Sequence, residues 1–291
     1  MAAIEVNFSS GICDVLLNRP EVENAINEDM LNVLAATVEE IEQRDDIRGV
    51  LIRGAGSSFC TGIDPREAGT GAFFPVPMDR EYLSRLFADH WSRWRVWRRF
   101  AELSKPLVTA VHGRALGEGA LFAMVSSWCV ASEDAVFGDP SIRMGMASAN
   151  PLWLWAVGPR RAREILFGRY IDATTAMRWG LVTRVVSSAD LESEAWTALE
   201  GLVSRPGMTG FDGRMVHEYI HRAASEAAGL STAQEFAQTI AAMSSIQRYG
   251  FRDGEYNFWA RVGEIGIEEA LVERDTRYEV IAGSGISGGS W

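Results

Sequence analysis

Short hydrophobic runs and helical hydrophobic spacing alternate along the first half of the chain. Continuous or alternating apolar residues predict strands, and apolar residues three and four positions apart predict helices. The predicted strands are 4–8, 12–17, 48–53, 107–111 and 129–131. The predicted helices are 28–43, 79–103 and 117–126. This recurrence predicts βαβ units and a mainly parallel sheet, which is an α/β fold.

Helical spacing dominates the second half of the chain. The helices predicted there are 160–168, 172–180, 189–203, 212–228 and 231–247. The final IAGSGISGGSW is rich in glycine and serine, which is typical of a loose tail. We therefore expect an α/β core at 1–190, a C-terminal helical region at 191–280 and a flexible tail at 281–291.

The composition limits the classes of binding partner and the cellular compartments that are compatible with the chain. The chain of 291 residues has a net charge of −11, which argues against nucleic acid held by general phosphate attraction. Its three cysteines favour a reducing compartment over a disulfide framework. The sequence does not open on a signal-peptide pattern, and no apolar run reaches the roughly 18 residues of a membrane span. We therefore expect a cytoplasmic protein with no membrane partner.

Motifs for several other chemistries are weak. The sequence contains no CxxC pair and no GxxxxGK[ST] phosphate loop, and Gly54-Ala55-Gly56 lacks the third glycine of a dinucleotide fingerprint. His217 and His221 stand four residues apart on one predicted helix, where they could ligate a metal. Because no third ligand is nearby in sequence, we interpret them as a surface pair and predict no metal site.

Two glycine-containing loops follow predicted strands. The first is SFCTGID at 58–64, and the second is HGRALGEGA at 112–120, which leads into a helix. A glycine-rich turn that feeds a helix leaves backbone N–H groups unpaired at the positive end of the helix dipole. Two such loops that face each other can hold one developing oxyanion.

Seven segments resemble, in order and spacing, the crotonase (enoyl-CoA hydratase/isomerase) superfamily over roughly residues 5–190. The segments are NRP at 18–20 with NAI at 24–26, DIRGVLI at 46–52, residues 58–64, KPLVTAVHG at 105–113, ALGEG at 115–119, FGDP at 137–140 and ATTAMRWGLV at 173–182. The resemblance implies a twisted spiral of ββα units with a C-terminal helical oligomerisation region. It also implies self-association as homotrimers or dimers of trimers.

The resemblance further implies an acyl-CoA substrate, with CoA as part of the substrate rather than a separate cofactor. The backbone N–H groups of Ile63 and Glu118 match the family's oxyanion hole. Ala25, Thr61 and Asp64 match positions that line the CoA arm. The implied enzyme is a lyase, isomerase or hydrolase of fatty acid or ring-compound degradation.

The chain departs from the family pattern at the residues that carry out hydration. Family hydratases have two glutamates, and the matching residues here are Leu121 and Ser141. Neither side chain supplies a titratable group that activates or delivers water. We therefore expect an enolate or tetrahedral intermediate held by the oxyanion hole, and not the standard two-glutamate hydration.

Glu118 and Asp139 are the remaining candidates for an acid/base role. Each has a structural alternative, since Glu118 can cap a helix N-terminus and Asp139 can shape the turn before Pro140. In an extended run, Asp139 and Ser141 would face one side. The further residues expected at the substrate are Gly117, Leu121, Ser141 and Trp94.

The predicted helix 79–103 carries Trp91, Trp94 and Trp97 at intervals of three residues. Such a stripe either packs on the core, with the arginine face of the helix in solvent, or walls a bulky apolar ligand. With Trp153 and Trp155, these residues favour a bulky or cyclic acyl group.

Three functions are compatible with the sequence. The leading one is an enoyl-CoA hydratase/isomerase-like enzyme that acts on an acyl-CoA thioester. The second is a CoA-independent C–C hydrolase of a cyclic β-diketone, which would retain the oxyanion hole. The third is a catalytically silent CoA-binding or scaffolding protein, which the loss of both glutamates favours and the intact glycine loops oppose.

Overall fold

A computed structural model describes residues 2–66, 80–204, 213–247 and 254–282. The strands are β1 (Ile4–Ser9), β2 (Ile12–Leu17), β3 (Gly49–Gly54), β4 (Leu107–Val111), β5 (Arg114–Leu116), β6 (Trp128–Ser132), β7 (Val136–Gly138), β8 (Ile171–Asp172) and β9 (Arg184–Val186). The helices are α1 (Glu28–Gln43), α2 (Arg80–Ala101), α3 (Glu118–Val125), α4 (Trp153–Val157), α5 (Pro159–Leu166), α6 (Ala173–Trp179), α7 (Leu191–Val203), α8 (Gly213–Ala227), α9 (Leu230–Gln247), α10 (Phe258–Ile265) and α11 (Ile267–Ala282). Short 3-10 helices span Pro20–Val22 and Ser141–Met144.

Six strands form the main sheet in the order β1-β2-β3-β4-β6-β9. The first pair is antiparallel, and every other pair in this sheet is parallel. The mainly parallel α/β sheet that the sequence predicts is thus confirmed. Most of the predicted tail, residues 283–291, lies outside the described residues.

Strand β3 shows why the sheet is buried on both faces. Val50 and Ile52 point to the cluster that contains the buried side chains of α1, whereas Leu51 packs with Leu199 of α7 on the other face. Alternating apolar residues on a doubly covered strand each contribute about 1.5–3 kcal/mol on burial. The continuous apolar run at β3 therefore follows from its central place in the sheet.

Helix α1 illustrates how the sequence sets a helix boundary. The side chain of Asn27 accepts a hydrogen bond from the Met30 N–H at 2.9 Å, which caps the first turn. Met30, Leu34 and Val38 recur at four-residue spacing and are fully buried against the sheet. The helix begins and ends at the predicted residues.

A second, three-stranded sheet brings the two glycine loops together. Its order is β5-β7-β8, and β5 also forms a bridge from Ala115 to Cys60 of the first loop. A further bridge joins Ile63 of that loop to Ile26. These contacts place the end of the first loop beside the start of α3.

The C-terminal helices complete the walls around this point. Helix α9 packs on α2, while α10 and α11 pack on each other and on the 3-10 helix Ser141–Met144. The predicted C-terminal helical region is thus present. Its last two helices, α10 and α11, are not among the individual helices that hydrophobic spacing predicts. No helix of the four described stretches is long and apolar enough to cross a membrane.

Candidate active site

A cavity of about 560 Å³ lies between the two glycine loops, α2 and the C-terminal helices. The predicted site residues that border it are Ala25, Thr61, Ile63, Trp94, Gly117, Glu118, Leu121, Asp139 and Ser141. The fold therefore gathers residues from widely separated parts of the chain into one site.

Glycines let the two loops approach each other. Gly117, the residue before α3, has a φ of 53° and a ψ of −116°, a backbone conformation that L side chains rarely adopt. A Cβ at Gly119 would lie 2.1 Å from the carbonyl oxygen of Cys60, which is far inside van der Waals contact. Close packing of backbone against backbone thus fixes the spacing of the loops.

The Glu118 carboxylate occupies the position expected for the substrate's oxyanion. Its Oε2 accepts a hydrogen bond from the N–H of Ile63 at 3.2 Å. Burial raises the pKa of this carboxyl, and the Asp139 charge adds to the rise. The backbone N–H groups of Glu118 and Ile63 and the charge of Arg93 act in the opposite direction. The two predicted donors therefore already act on one anionic group.

Asp139 is buried, with 2% of its surface exposed. Its carboxylate accepts hydrogen bonds from the N–H of Ser141 at 2.9 Å and from the hydroxyl of Ser148 at 2.6 Å. The expected extended geometry at 139–141 is wrong, because a 3-10 helix begins at Ser141 and the Asp139 side chain closes its first turn. Asp139 thus shapes the turn around Pro140, the structural role that the sequence offered as an alternative, and it also borders the cavity.

Asp64 does not border the cavity, contrary to the expectation that it lines the CoA arm. Its side chain is fully buried and pairs with Arg19 at 3.0 Å and Arg66 at 3.3 Å. It also accepts the backbone N–H of Arg66 at 3.0 Å. With its carboxylate oxygens held by these donors, Asp64 fixes the shape of the loop.

Leu121 and Ser141, the positions predicted to match the two glutamates of hydratases, both border the cavity. Leu121 is buried, with 3% of its surface exposed, and presents only apolar atoms. Ser141 presents a hydroxyl. Neither position supplies a group that takes a proton from water at neutral pH.

The tryptophans separate into two groups. Trp94 and Trp97 are part of the hydrophobic core, as one interpretation of the α2 stripe predicts. They also border the cavity, and their contact with a ligand stays a prediction. Trp153 is fully buried in the core, Trp91 packs at its edge, and Trp155 is 36% exposed. Of these five tryptophans, Trp94 and Trp97 border the cavity, as does Trp259 of α10.

Cys60 and His112 lie in the glycine loops and have structural roles. Burial raises the pKa of the Cys60 thiol to about 12, so it remains protonated and is a poor nucleophile at neutral pH. The His112 ring Nε2 lies 3.0 Å from the carbonyl oxygen of Gly56. We assign neither residue to the chemistry of the cavity.

Two residues of α2 border the cavity in addition to those predicted at the thioester substrate. Arg93 and His90 of α2 border the cavity, although the arginines of that helix were expected in solvent. Burial and the charge of Arg93 lower the pKa of His90 to about 4, and the Gln238 side chain of α9 offsets only part of that lowering. His90 is therefore neutral at physiological pH. The signal for Arg93 was its spacing, because Arg93 and Trp97 stand four residues apart and share a helix face.

Residues 217–221 read HEYIH, a spacing that zinc sites use on helices. They lie on α8, where His221 is exposed. Across the stretches that the structure describes, no three His, Cys, Asp or Glu side chains form a group that could hold a metal ion. Zinc needs three or four protein ligands, so the spacing by itself makes no site.

Comparisons with known proteins agree with this geometry. The sequence model of the family described as enoyl-CoA hydratase/isomerase matches residues 7–258. A probable enoyl-CoA hydratase of Mycobacterium bovis is 32% identical over 213 residues, which cover 72% of this chain and 77% of that protein. The 1,2-epoxyphenylacetyl-CoA isomerase of Escherichia coli is 30% identical over 210 residues, covering 71% and 78%.

A solved structure matches the whole fold. The crystal structure of an enoyl-CoA hydratase/isomerase from Xanthobacter autotrophicus Py2 superposes with a TM-score of 0.78 at 27% identity. The match covers 95% of this chain and 98% of that one, so it includes the C-terminal helices.

Proposed function

Since the chain belongs to the enoyl-CoA hydratase/isomerase family, we propose that its cavity binds an acyl-CoA thioester with the carbonyl oxygen at the N–H groups of Ile63 and Glu118. One observation carries the proposal: the Ile63 N–H already donates to a carboxylate oxygen, that of Glu118. Loops that hold a carboxylate oxygen suit the negative oxygen of an enolate or a tetrahedral adduct. Each such donor is worth about 3–4 kcal/mol in the transition state.

The Glu118 carboxylate is the acid/base group of this proposal. The incoming thioester oxygen takes over its hydrogen bonds, and the displaced carboxylate then lies beside the α-carbon. It removes the α-proton, and the C–H electron pair forms the C=C bond of an enolate whose charge is on the thioester oxygen. The pKa of Glu118 is raised toward neutral pH, which strengthens this carboxylate as a base.

Asp139 acts on the proton transfer only through its effect on Glu118. Its negative charge contributes to the raised pKa of Glu118, and its own oxygens are held by Ser141 and Ser148. We propose Asp139 as a positioning and charge-tuning residue, with a direct acid/base role for Glu118. Returning the proton at another carbon would complete an isomerisation without water.

The acyl group proposed is bulky or cyclic. Trp94, Trp97 and Leu121 give the cavity a broad apolar wall. One relative is named as an isomerase of 1,2-epoxyphenylacetyl-CoA, a thioester with a ring-bearing acyl group. We also propose trimers or dimers of trimers, and a cytoplasmic location, from the family resemblance and the acidic, cysteine-poor composition.

A catalytically silent CoA-binding role is the second candidate, and one observation favours it. The Glu118 carboxylate already accepts the Ile63 N–H that is proposed to bind the substrate oxygen, and a carboxylate that stayed there would block the reaction. The CoA-independent β-diketone hydrolase has no comparable observation in its favour.

The test combines binding with proton exchange. Calorimetric titration with CoA and hexanoyl-CoA measures binding, and mass spectrometry of hexanoyl-CoA in D₂O measures exchange of its α-protons. Wild type should bind both and exchange the α-protons, while Glu118→Gln should bind but exchange about 10²–10⁴ times more slowly. Glu200→Gln, at an exposed glutamate of α7, is the control and should match wild type.

Each contrary result identifies a different error. Binding without exchange in wild type would favour the silent role. Unchanged exchange in Glu118→Gln would remove Glu118 as the base. Failure to bind CoA and hexanoyl-CoA would overturn the proposed function as a whole.

A further inference from the structure

Among the described residues, four arginines border the cavity, and three of them are paired. Arg66 forms ion pairs with Asp64 at 3.3 Å and Glu268 at 2.7 Å. The other two pairs are Arg114 with Glu23 at 3.4 Å and Arg274 with Asp275 at 2.9 Å. Arg93, the fourth, has no ion pair or hydrogen bond to any part of the chain that the structure describes.

The position of Arg93 makes this unusual. It lies on α2 beside Trp94, is partly buried, and borders the cavity together with Glu118 and His90. Its charge contributes a lowering to the pKa of each of these two groups. Arg93 is therefore on a cavity wall that also contains the proposed oxyanion position and Gln238 of α9.

The nearby carboxylates do not satisfy this guanidinium. Glu118 binds the Ile63 N–H, and Asp139 binds the N–H of Ser141 and the hydroxyl of Ser148. A cation at an apolar wall without a partner carries a desolvation cost, which a bound anion would offset. Guanidinium is also the group best shaped to bind a carboxylate through two parallel hydrogen bonds.

We propose that Arg93 binds a second carboxylate, carried by the acyl group of the substrate, so that the enzyme prefers dicarboxylic acyl-CoA thioesters. The inference rests on the proposed function, since it assumes that the thioester carbonyl lies at Ile63 and Glu118. Trp94 and Trp97 would then flank the carbon chain between the two anchored ends. Arg93 acts as a specificity-determining residue and takes no part in proton transfer.

Matched pairs of thioesters test the proposal by calorimetry. Succinyl-, glutaryl- and adipoyl-CoA are compared with butyryl-, pentanoyl- and hexanoyl-CoA, which have the same chain lengths and lack the second carboxylate. For at least one pair, wild type should bind the dicarboxylic member about tenfold more tightly. Arg93→Gln should lose that preference and bind the monocarboxylic member as wild type does. Arg95→Gln, an equal charge change at an exposed position of α2, should retain the preference.

Three results would count against the proposal, and they have different meanings. Equal binding within every pair by wild type would overturn the inference and leave the proposed function standing. A preference that survives in Arg93→Gln would assign it to another residue and would also overturn the inference. If neither CoA nor any thioester binds, the proposed function fails, and the inference fails with it.

Discussion

Two parts of the cavity wall differ in what they present to a ligand. We call them the backbone half, which presents N–H groups of the main chain, and the side-chain half, which presents side-chain atoms. The backbone half consists of the N–H groups of Ile63 and Glu118, which both act on the Glu118 carboxylate. The side-chain half contains Leu121 and Ser141, the positions at which the family resemblance predicts the glutamates of hydratases. Steric contact explains the contrast, because the loops touch through glycines that no other residue can replace. A cavity side chain can change without disturbing the fold, so the reaction can change while the oxyanion position remains.

Gly119→Ala should have the largest effect, because it breaks the backbone half. Its Cβ would lie 2.1 Å from the Cys60 carbonyl oxygen, so the loops must separate. We expect a loss of about 3 kcal/mol in the free energy of unfolding, measured in urea. Gly201→Ala in α7, where nothing lies within 4 Å of the new Cβ, is the control and should be neutral or slightly stabilising. Equal stability of the two variants would show that the loops are not in this contact.

Leu121→Glu with Ser141→Glu should rebuild the side-chain half. Wild type should hydrate crotonyl-CoA at no more than a background rate, and the double variant should raise that rate about 10²-fold through general acid–base catalysis. The matched control is Leu121→Gln with Ser141→Gln, which adds similar volume and no titratable group. Rapid hydration by wild type, or an equal gain in the amide control, would contradict the assignment of these positions.

Glu118→Gln should change how the free energy of unfolding depends on pH. The carboxyl pKa is raised in the folded state, so the folded protein binds this proton more tightly than the unfolded chain does. Wild type therefore loses stability relative to the variant as the pH rises from the unfolded value, about 4.5, through the raised folded value. Urea unfolding should show the variant as the more stable protein at neutral pH, with the difference vanishing in acid. A difference that does not change with pH would contradict the raised pKa of the Glu118 carboxyl.

Glu268→Gln should have the smallest effect. Glu268 of α11 pairs at 2.7 Å with Arg66, two residues after the first loop, and this pair lowers the pKa of Glu268. The Glu268 side chain is 69% exposed, so its loss should cost about 0.5 kcal/mol, and less in high salt. A much larger loss, insensitive to salt, would mean that α11 is essential to the cavity wall.

The sequence could predict elements with a strong local pattern. The apolar runs of β2, β3 and β4 and the capped helix α1 can each be predicted from a short stretch of the sequence. Strands β5, β7, β8 and β9 are two or three residues long and carry no period that a pattern can reveal. They form because the main sheet and its helices place them side by side, which is information from the tertiary structure.

The candidate site was predictable to a similar, partial extent. The two glycine loops are evident from the residue pattern, and the roles predicted for Ile63 and Glu118 follow from the family resemblance. Two interactions did not: the Glu118 carboxylate turns back onto the Ile63 N–H, and Asp64 turns away from the cavity toward Arg19. Both depend on side-chain directions that spacing cannot fix. Gln238 and Glu268 were out of reach because they come from helices more than 100 residues further along the chain than the loops.

The central claim is that the Ile63 and Glu118 N–H groups bind the carbonyl oxygen of a thioester. Infrared difference spectroscopy of hexanoyl-CoA with a ¹³C-labelled carbonyl measures this directly, because hydrogen bonds to the oxygen weaken the C=O bond. The account predicts that the carbonyl band of the bound thioester shifts to lower frequency than in water. A bound thioester whose carbonyl band stays at its frequency in water would contradict it.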